Sequence, residues 1–122
     1  RKTVPKDYQF QLAHLMVDCG ADVVLGAHPH VLQGSEIYRG APICYSLGNL
    51  ISPRPAASGV AVLEFRGKEL QELRWVPVTI TKAGKVIAQR GKASADQLKE
   101  IARLNTLVKA RSAALARKKS KH

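Results

Sequence analysis

Two histidines separated by one proline, His28-Pro29-His30, stand at the end of the apolar stretch ADVVLGA. Residues i and i+2 of an extended chain point to the same side, so this spacing can present two imidazoles together. Pro29 fixes its own φ and keeps the preceding residue out of helical geometry. Neutral imidazole is the commonest side-chain ligand for Zn, Mn, Fe and similar ions, so metal binding is the chemistry on offer. The plainer reading is a pair of loop histidines hydrogen-bonded to backbone. Two ligands are too few for a catalytic centre, which takes at least three, and sites that handle phosphate usually add carboxylates. Asp18 belongs to a helix, Asp22 opens a strand and is expected to face solvent, and Glu36 reaches the pair only if its strand lines the site. The sequence has no nucleophile elbow, P-loop, GxGxxG or CxxC.

The elements that must position the pair can be read from periodicity. PKDYQFQLAHLMVDCG reads as a helix, with Tyr8, Leu12, Leu15, Met16 and Cys19 as its apolar stripe. Pro5 suits its first turn, Gly20 suits a left-handed cap, and His14 falls off the stripe as a surface histidine. Val23-Val24-Leu25 is a continuous apolar run, the pattern of a strand buried on both faces. A helix feeding such a strand is half of an α/β unit, and ligands collect just past strand ends in such sheets.

Downstream, two short strands are expected around an Arg39-Gly40-Ala41-Pro42 turn, with Ile43, Tyr45 and Leu47 alternating and Gly48-Asn49 ending the second. ISPRPAASG reads as a loop. Val60 onward and Leu73 to Ile80 make a hairpin about Arg66-Gly67-Lys68, with Pro77 marking an edge or a bulge. Ser94 and Gln97 form a capping box. A helix is expected from about Ala95 to about Arg117, with Leu98, Ile101, Leu104, Val108 and Leu115 as its apolar face. The division is thus residues 1–92 and a basic helix and tail over residues 93–122.

The net charge of +11 on 122 residues is unevenly placed. Residues 1–81 carry eight Lys/Arg against seven Asp/Glu, whereas residues 82–122 carry twelve against two. The basicity belongs to the C-terminal part of the chain and says little about His28. Lys109, Arg111, Arg117, Lys118, Lys119 and Lys121 form a candidate surface for an anionic polymer or an anionic membrane surface. A solvated helix with cations at its C-terminus reads the same way. No aromatic residue follows Trp75, which argues against base stacking there. No apolar run is long enough to cross a bilayer, no signal peptide is present, and Arg1 rather than Met begins the chain. Any membrane association would come through segments outside it. Cys19 and Cys44, both among apolar neighbours, are expected to be buried free thiols.

The stretch GADVVLGAHPHVLQGSEIYRGAPICYSLGNLI resembles the bacterial capsule-synthesis, or poly-γ-glutamate-synthesis (CapA-type), proteins of the calcineurin-like metallophosphoesterase superfamily. The resemblance is carried by Gly20-Ala21-Asp22, Gly26, His28-Pro29-His30-Val31, Gln33, Tyr38, Gly40, Pro42 and Tyr45-Ser46-Leu47-Gly48-Asn49. It extends more weakly through Val76 to Ile80. It implies half of an α/β/β/α sandwich, followed here by the basic helix. It implies that His28 and His30 are metal ligands of a site for two divalent ions of the Mn, Fe or Zn kind. The superfamily's Gly-His-x-His is altered here, with Ala27 between Gly26 and His28. The superfamily's earlier Asp-x-His, Gly-Asp and Asn-His motifs are not in this sequence. The resemblance therefore implies a partner, the N-terminal half of the same domain in the same precursor or another chain, without which the chain is not expected to hydrolyse anything. Asn49 is a candidate to line the site, or else a turn residue at positive φ. The implied setting is capsule or polyglutamate assembly at the bacterial surface.

Overall fold

The computed structural model describes residues 4–50 and 55–120, apart from the side chains of residues 119 and 120. Two helices and six strands follow in the order α1 (Asp7–Asp18), β1 (Val24–Leu25), β2 (Ser35–Tyr38), β3 (Ala41–Cys44), β4 (Ala56–Arg66), β5 (Glu69–Ile80), β6 (Val86–Ala88) and α2 (Gly91–Ser120). The α/β class is as the periodicity suggested. The strands form two three-stranded sheets, ordered β1-β3-β2 and β4-β5-β6. β1 runs parallel to β3, and the other pairings are antiparallel.

α1 begins where the Gln9 side chain accepts the Lys6 N–H at 2.8 Å. It ends in a Schellman motif: the Gly20 N–H donates to the Val17 carbonyl and the Ala21 N–H to the Met16 carbonyl, each at 2.9 Å. Gly20 holds φ +111°, so the cap expected there forms. The buried face differs from the expected stripe. Phe10 and Ala13 are buried, whereas Tyr8, Leu12, Leu15 and Met16 are exposed, Tyr8 by 61%. The helix has two apolar faces, and the one that meets Tyr45 and α2 is the one covered. Cys19, at the end of the other face, is exposed, and only Cys44 is a buried thiol; both are free. Burial lifts the Cys44 thiol to about 11.

The Val23-Val24-Leu25 run is likewise not buried on both faces. Among the described residues, β1 is a two-residue edge strand paired with β3. Val24 packs on the core, while Val23 and Leu25 are exposed. β3 carries the burial instead, with all four residues covered. The β2–β3 turn is tighter than expected, because Ala41 and Pro42 already belong to β3.

The β4–β5 hairpin turns at Gly67-Lys68 as expected and is longer than expected. Ala56 to Gly59, read as loop, are its first strand residues, paired with Ile80 to Pro77. Of the rest of that loop, Pro55 is exposed and residues 51–54 lie outside the described residues. Pro77 is neither on an edge strand nor at the bulge, which falls at Glu64/Phe65. β5 is central, because the unexpected strand β6 pairs with Val78–Ile80. Pro77 escapes penalty because it sits just past that ladder, where its carbonyl still accepts the Gln89 N–H at 2.9 Å.

α2 starts at Gly91, with φ +60°, and not after Ser94, which lies inside its first turns. Gln97, the other half of the expected capping box, donates instead to the Ser58 carbonyl at 3.4 Å. Of its expected apolar face, Ile101, Leu104 and Val108 are buried and Leu98 is exposed. The helix joins two core clusters. Val108 sits with Phe10, Ala13, Ile43 and Tyr45, while Ile101 and Leu104 sit with Leu32, and Trp75 of β5 packs on them.

Candidate metal centre

The chain leaving β1 is clamped before it reaches the histidines. The Gly26 N–H donates to the Cys44 carbonyl at 2.7 Å, and the Leu47 N–H donates to the Gly26 carbonyl at 3.2 Å. A Cβ on residue 26 would overlap the Tyr45 carbonyl oxygen, so this approach requires glycine. The parallel pairing of β1 with β3 is thus prolonged toward the loop that carries His28 and His30.

That loop is not extended, so the i, i+2 argument does not hold there. His28 has φ +104° and His30 φ +61°, on either side of Pro29. The rings still come together, with centroids 6.4 Å apart and planes at 40°. Positive φ costs about 1–3 kcal/mol at each such residue and persists only where neighbours fix it. The fixing neighbours come from the stretch after β3. Leu32 and Leu47 form an isolated bridge. The Ser46 hydroxyl donates to the Val31 carbonyl at 2.7 Å, and the Gly48 N–H donates to the Ser46 hydroxyl at 3.3 Å. His30 Nδ1 lies 2.9 Å from Asn49 Oδ1. Both imidazoles are exposed and lie at one end of the first sheet.

The donor set suits a divalent ion as far as it goes. Two imidazoles lie near each other, but no group of three or more His, Cys, Asp or Glu gathers among the described residues. Glu36 does not complete it. Its Oε1 is 2.8 Å from His14 Nε2 and accepts the Ser112 hydroxyl at 3.1 Å, and its Oε2 accepts the Tyr45 hydroxyl at 3.4 Å. Burial first, and then the Glu36 charge and hydrogen bond, push the Tyr45 phenol well above its ordinary range. Asp18 is taken up by the Tyr38 hydroxyl at 3.0 Å and by Arg39 at 3.1 Å. Asp22 is exposed, as expected.

His14 is no surface histidine. It is stacked on Tyr38 at 3.9 Å, meets Phe10 edge-on, and lines a cleft of about 1030 Å³ between α1, β2 and α2. The cluster of His14, Glu36, Tyr45 and Ser112 had no sequence signal, since its members lie 9 to 98 residues apart. Ser58 was missed as well: placed in a loop by composition, it is a buried strand residue whose hydroxyl donates to the Asn49 carbonyl at 2.5 Å.

The basic candidates divide. Lys109 and Lys118 are exposed, and Arg117 is exposed on the same helix. Arg111 binds Asp7 through both carboxylate oxygens, at 2.9 and 2.7 Å. That contact holds the Asp7 carboxyl below its ordinary range. The side chain of Lys119, and Lys121 altogether, lie outside the described residues. No helix among the described residues is long and apolar enough to cross a membrane.

Comparison with known proteins places the histidine loop in context. Residues 1–54 match the family model described as bacterial capsule synthesis protein PGA_cap. The chain is 55% identical over 47 residues to the PGA biosynthesis protein CapA of Bacillus subtilis (strain 168), covering 38% of this chain and 12% of that protein. It is 51% identical over 47 residues to the capsule biosynthesis protein CapA of Bacillus anthracis, covering 38% and 11%. It is 37% identical over 79 residues to a probable polyglutamine synthesis accessory protein of Mycobacterium tuberculosis (strain CDC 1551 / Oshkosh), covering 65% and 19%. The matched segments span a fifth or less of these relatives. The histidine pair, its glycine clamp and Asn49 all lie inside residues 1–54, the segment that is similar to the bacterial capsule synthesis protein PGA_cap family.

Proposed function

We propose that the chain supplies part of the metal centre of a CapA-type protein acting in capsule or poly-γ-glutamate synthesis at the bacterial surface. The observation that carries this reading is the placement of His28 and His30. Two strained residues bring two imidazoles together at the end of a sheet, in the segment that matches the family. The remaining ligands would come from other segments of a metallophosphoesterase-like α/β/β/α domain. Those segments would also cover the apolar surface left open here on α1 and β1, namely Tyr8, Leu12, Leu15, Met16 and Leu25. Bound divalent ions would supply Lewis acidity toward a phosphoryl oxygen and an activated water. His28 and His30 would contribute neutral donors, and Gly26 would hold their loop against β3.

The test is metal content in the whole protein that contains this segment. His28→Ala and His30→Ala should each lower bound metal measured by elemental analysis. Unchanged metal in both variants would make the pair structural.

A second reading, a binding module for an anionic polymer, rests on the concentration of charge in residues 82–122. Lys109, Arg117 and Lys118 are exposed near the end of its helix. The engagement of Arg111 by Asp7 weakens it.

A further inference from the structure

Asn49 stands between the two sheets. Its side chain meets His30 in the loop after β1, and its backbone carbonyl is held by Ser58 of β4, which is 2% exposed. An imidazole nitrogen and an amide oxygen can pair only if the nitrogen carries the proton, because both are otherwise acceptors. With Oδ1 of Asn49 at 2.9 Å, Nδ1 of His30 is the donor, and the lone pair is left on Nε2. Histidines that bind metals commonly donate their other ring N–H to an oxygen, which fixes both tautomer and ring orientation.

We propose that Asn49 is the positioning residue for His30. It selects the Nδ1–H tautomer and so presents Nε2 as the ligating atom, while Ser58 anchors Asn49 from the second sheet. This rests on the metal-centre reading for its purpose but not for its geometry. The turn reading at positive φ does not hold for Asn49, since the described non-glycine residues at positive φ are His28, His30 and Arg39; its side chain instead meets a ring 19 positions away. Ser58 adds a second tie, since its hydroxyl could instead have turned to solvent had β4 not been covered.

The experiment is nitrogen-15 NMR of the histidine rings in the 122-residue chain, at a pH high enough that the spectra themselves show neutral rings. Wild-type His30 should show the Nδ1–H pattern. Asn49→Ala should shift it toward the Nε2–H form, the commoner one in free histidine, and Asn49→Asp, which keeps an acceptor, should restore Nδ1–H. Zn²⁺ titrated into the same samples should bind about 10–100-fold more weakly to Asn49→Ala. Nε2–H in wild type would mean that the Asn49 amide is turned round and donates to Nδ1, and it would overturn the proposal. So would an unchanged tautomer in Asn49→Ala. If the tautomers behave as expected but Zn²⁺ perturbs neither His28 nor His30, the metal-centre reading fails and the positioning role stands.

Discussion

Gly34 and the Leu104 carbonyl are in direct contact: a Cβ on residue 34 would overlap that oxygen and press on the Val108 side chain. The family-matched segment and the helix beyond it are thus fitted to each other. Beside this contact, the Asn105 side-chain oxygen accepts the Ser35 N–H at 2.7 Å and the Ser35 hydroxyl at 3.0 Å. α2 is therefore seated on β2 by shape and by hydrogen bonds, and not by its apolar face alone.

Gly34→Ala should force α2 away from β2, because the obstacle is backbone and cannot rotate aside. Overpacking of this kind costs about 1–3 kcal/mol. Urea denaturation should show a lowered midpoint. A midpoint equal to wild type would mean that α2 is not held at this distance.

The two faces of α1 can be told apart by substitution. Phe10 is 1% exposed and packs on Tyr45 with ring centroids 4.7 Å apart. Phe10→Ala should destabilise by about 3–5 kcal/mol, whereas Leu12→Ala should change stability by no more than about 0.5 kcal/mol. Thermal unfolding of both variants checks this, and equal losses would mean that both faces are buried.

This case shows what was legible in the sequence. The helix, the Gly20 cap and the β4–β5 hairpin were readable because each depends on local spacing and turn residues. The choice between two apolar faces of α1 was not, because it depends on Tyr45 and Val108, which lie far along the chain. Val23-Val24-Leu25 carries the pattern of a fully covered strand, yet Val23 and Leu25 are exposed, because a continuous apolar run does not by itself say whether a second layer packs on it. His28 and His30 were legible as a pair, although the extended geometry assumed for them was not what brings them together. Asn49 was a candidate from its motif, but Ser58 was hidden by a Pro- and Ala-rich stretch that resembles a loop.

The Asp7–Arg111 contact gives a pH dependence. The carboxyl of Asp7 is held below its ordinary value, by the Arg111 hydrogen bond above all. A carboxylate depressed in the folded state lends stability above its unfolded pKa and loses it as pH falls through the folded one. Arg111→Ala should raise the Asp7 pKa read by carbon-13 NMR. The stability gap between variant and wild type should be present near neutrality and close in acid. A gap that widens in acid would contradict the assignment.

For the basic helix, charge should be removed without removing the helix. Leu115 packs against the first core cluster, so deleting residues 109–122 would disturb the fold as well as the charge. Lys109→Gln with Lys118→Gln should weaken binding to poly-γ-glutamate at low salt if the helix binds polyanions. The difference should vanish as salt shortens the screening length to about 8–10 Å and below. Equal binding at low salt would remove the polymer reading.

His28 and His30 should act as one donor pair. The most direct measurement is proton NMR of the four histidines, His14, His28, His30 and His122, as Mn²⁺ is added to the chain. His28 and His30 should broaden together and at the lowest Mn²⁺ concentration, and His28→Ala should abolish the effect on His30. Broadening that reaches His122 first, or that leaves His30 unchanged by the loss of His28, would contradict the account.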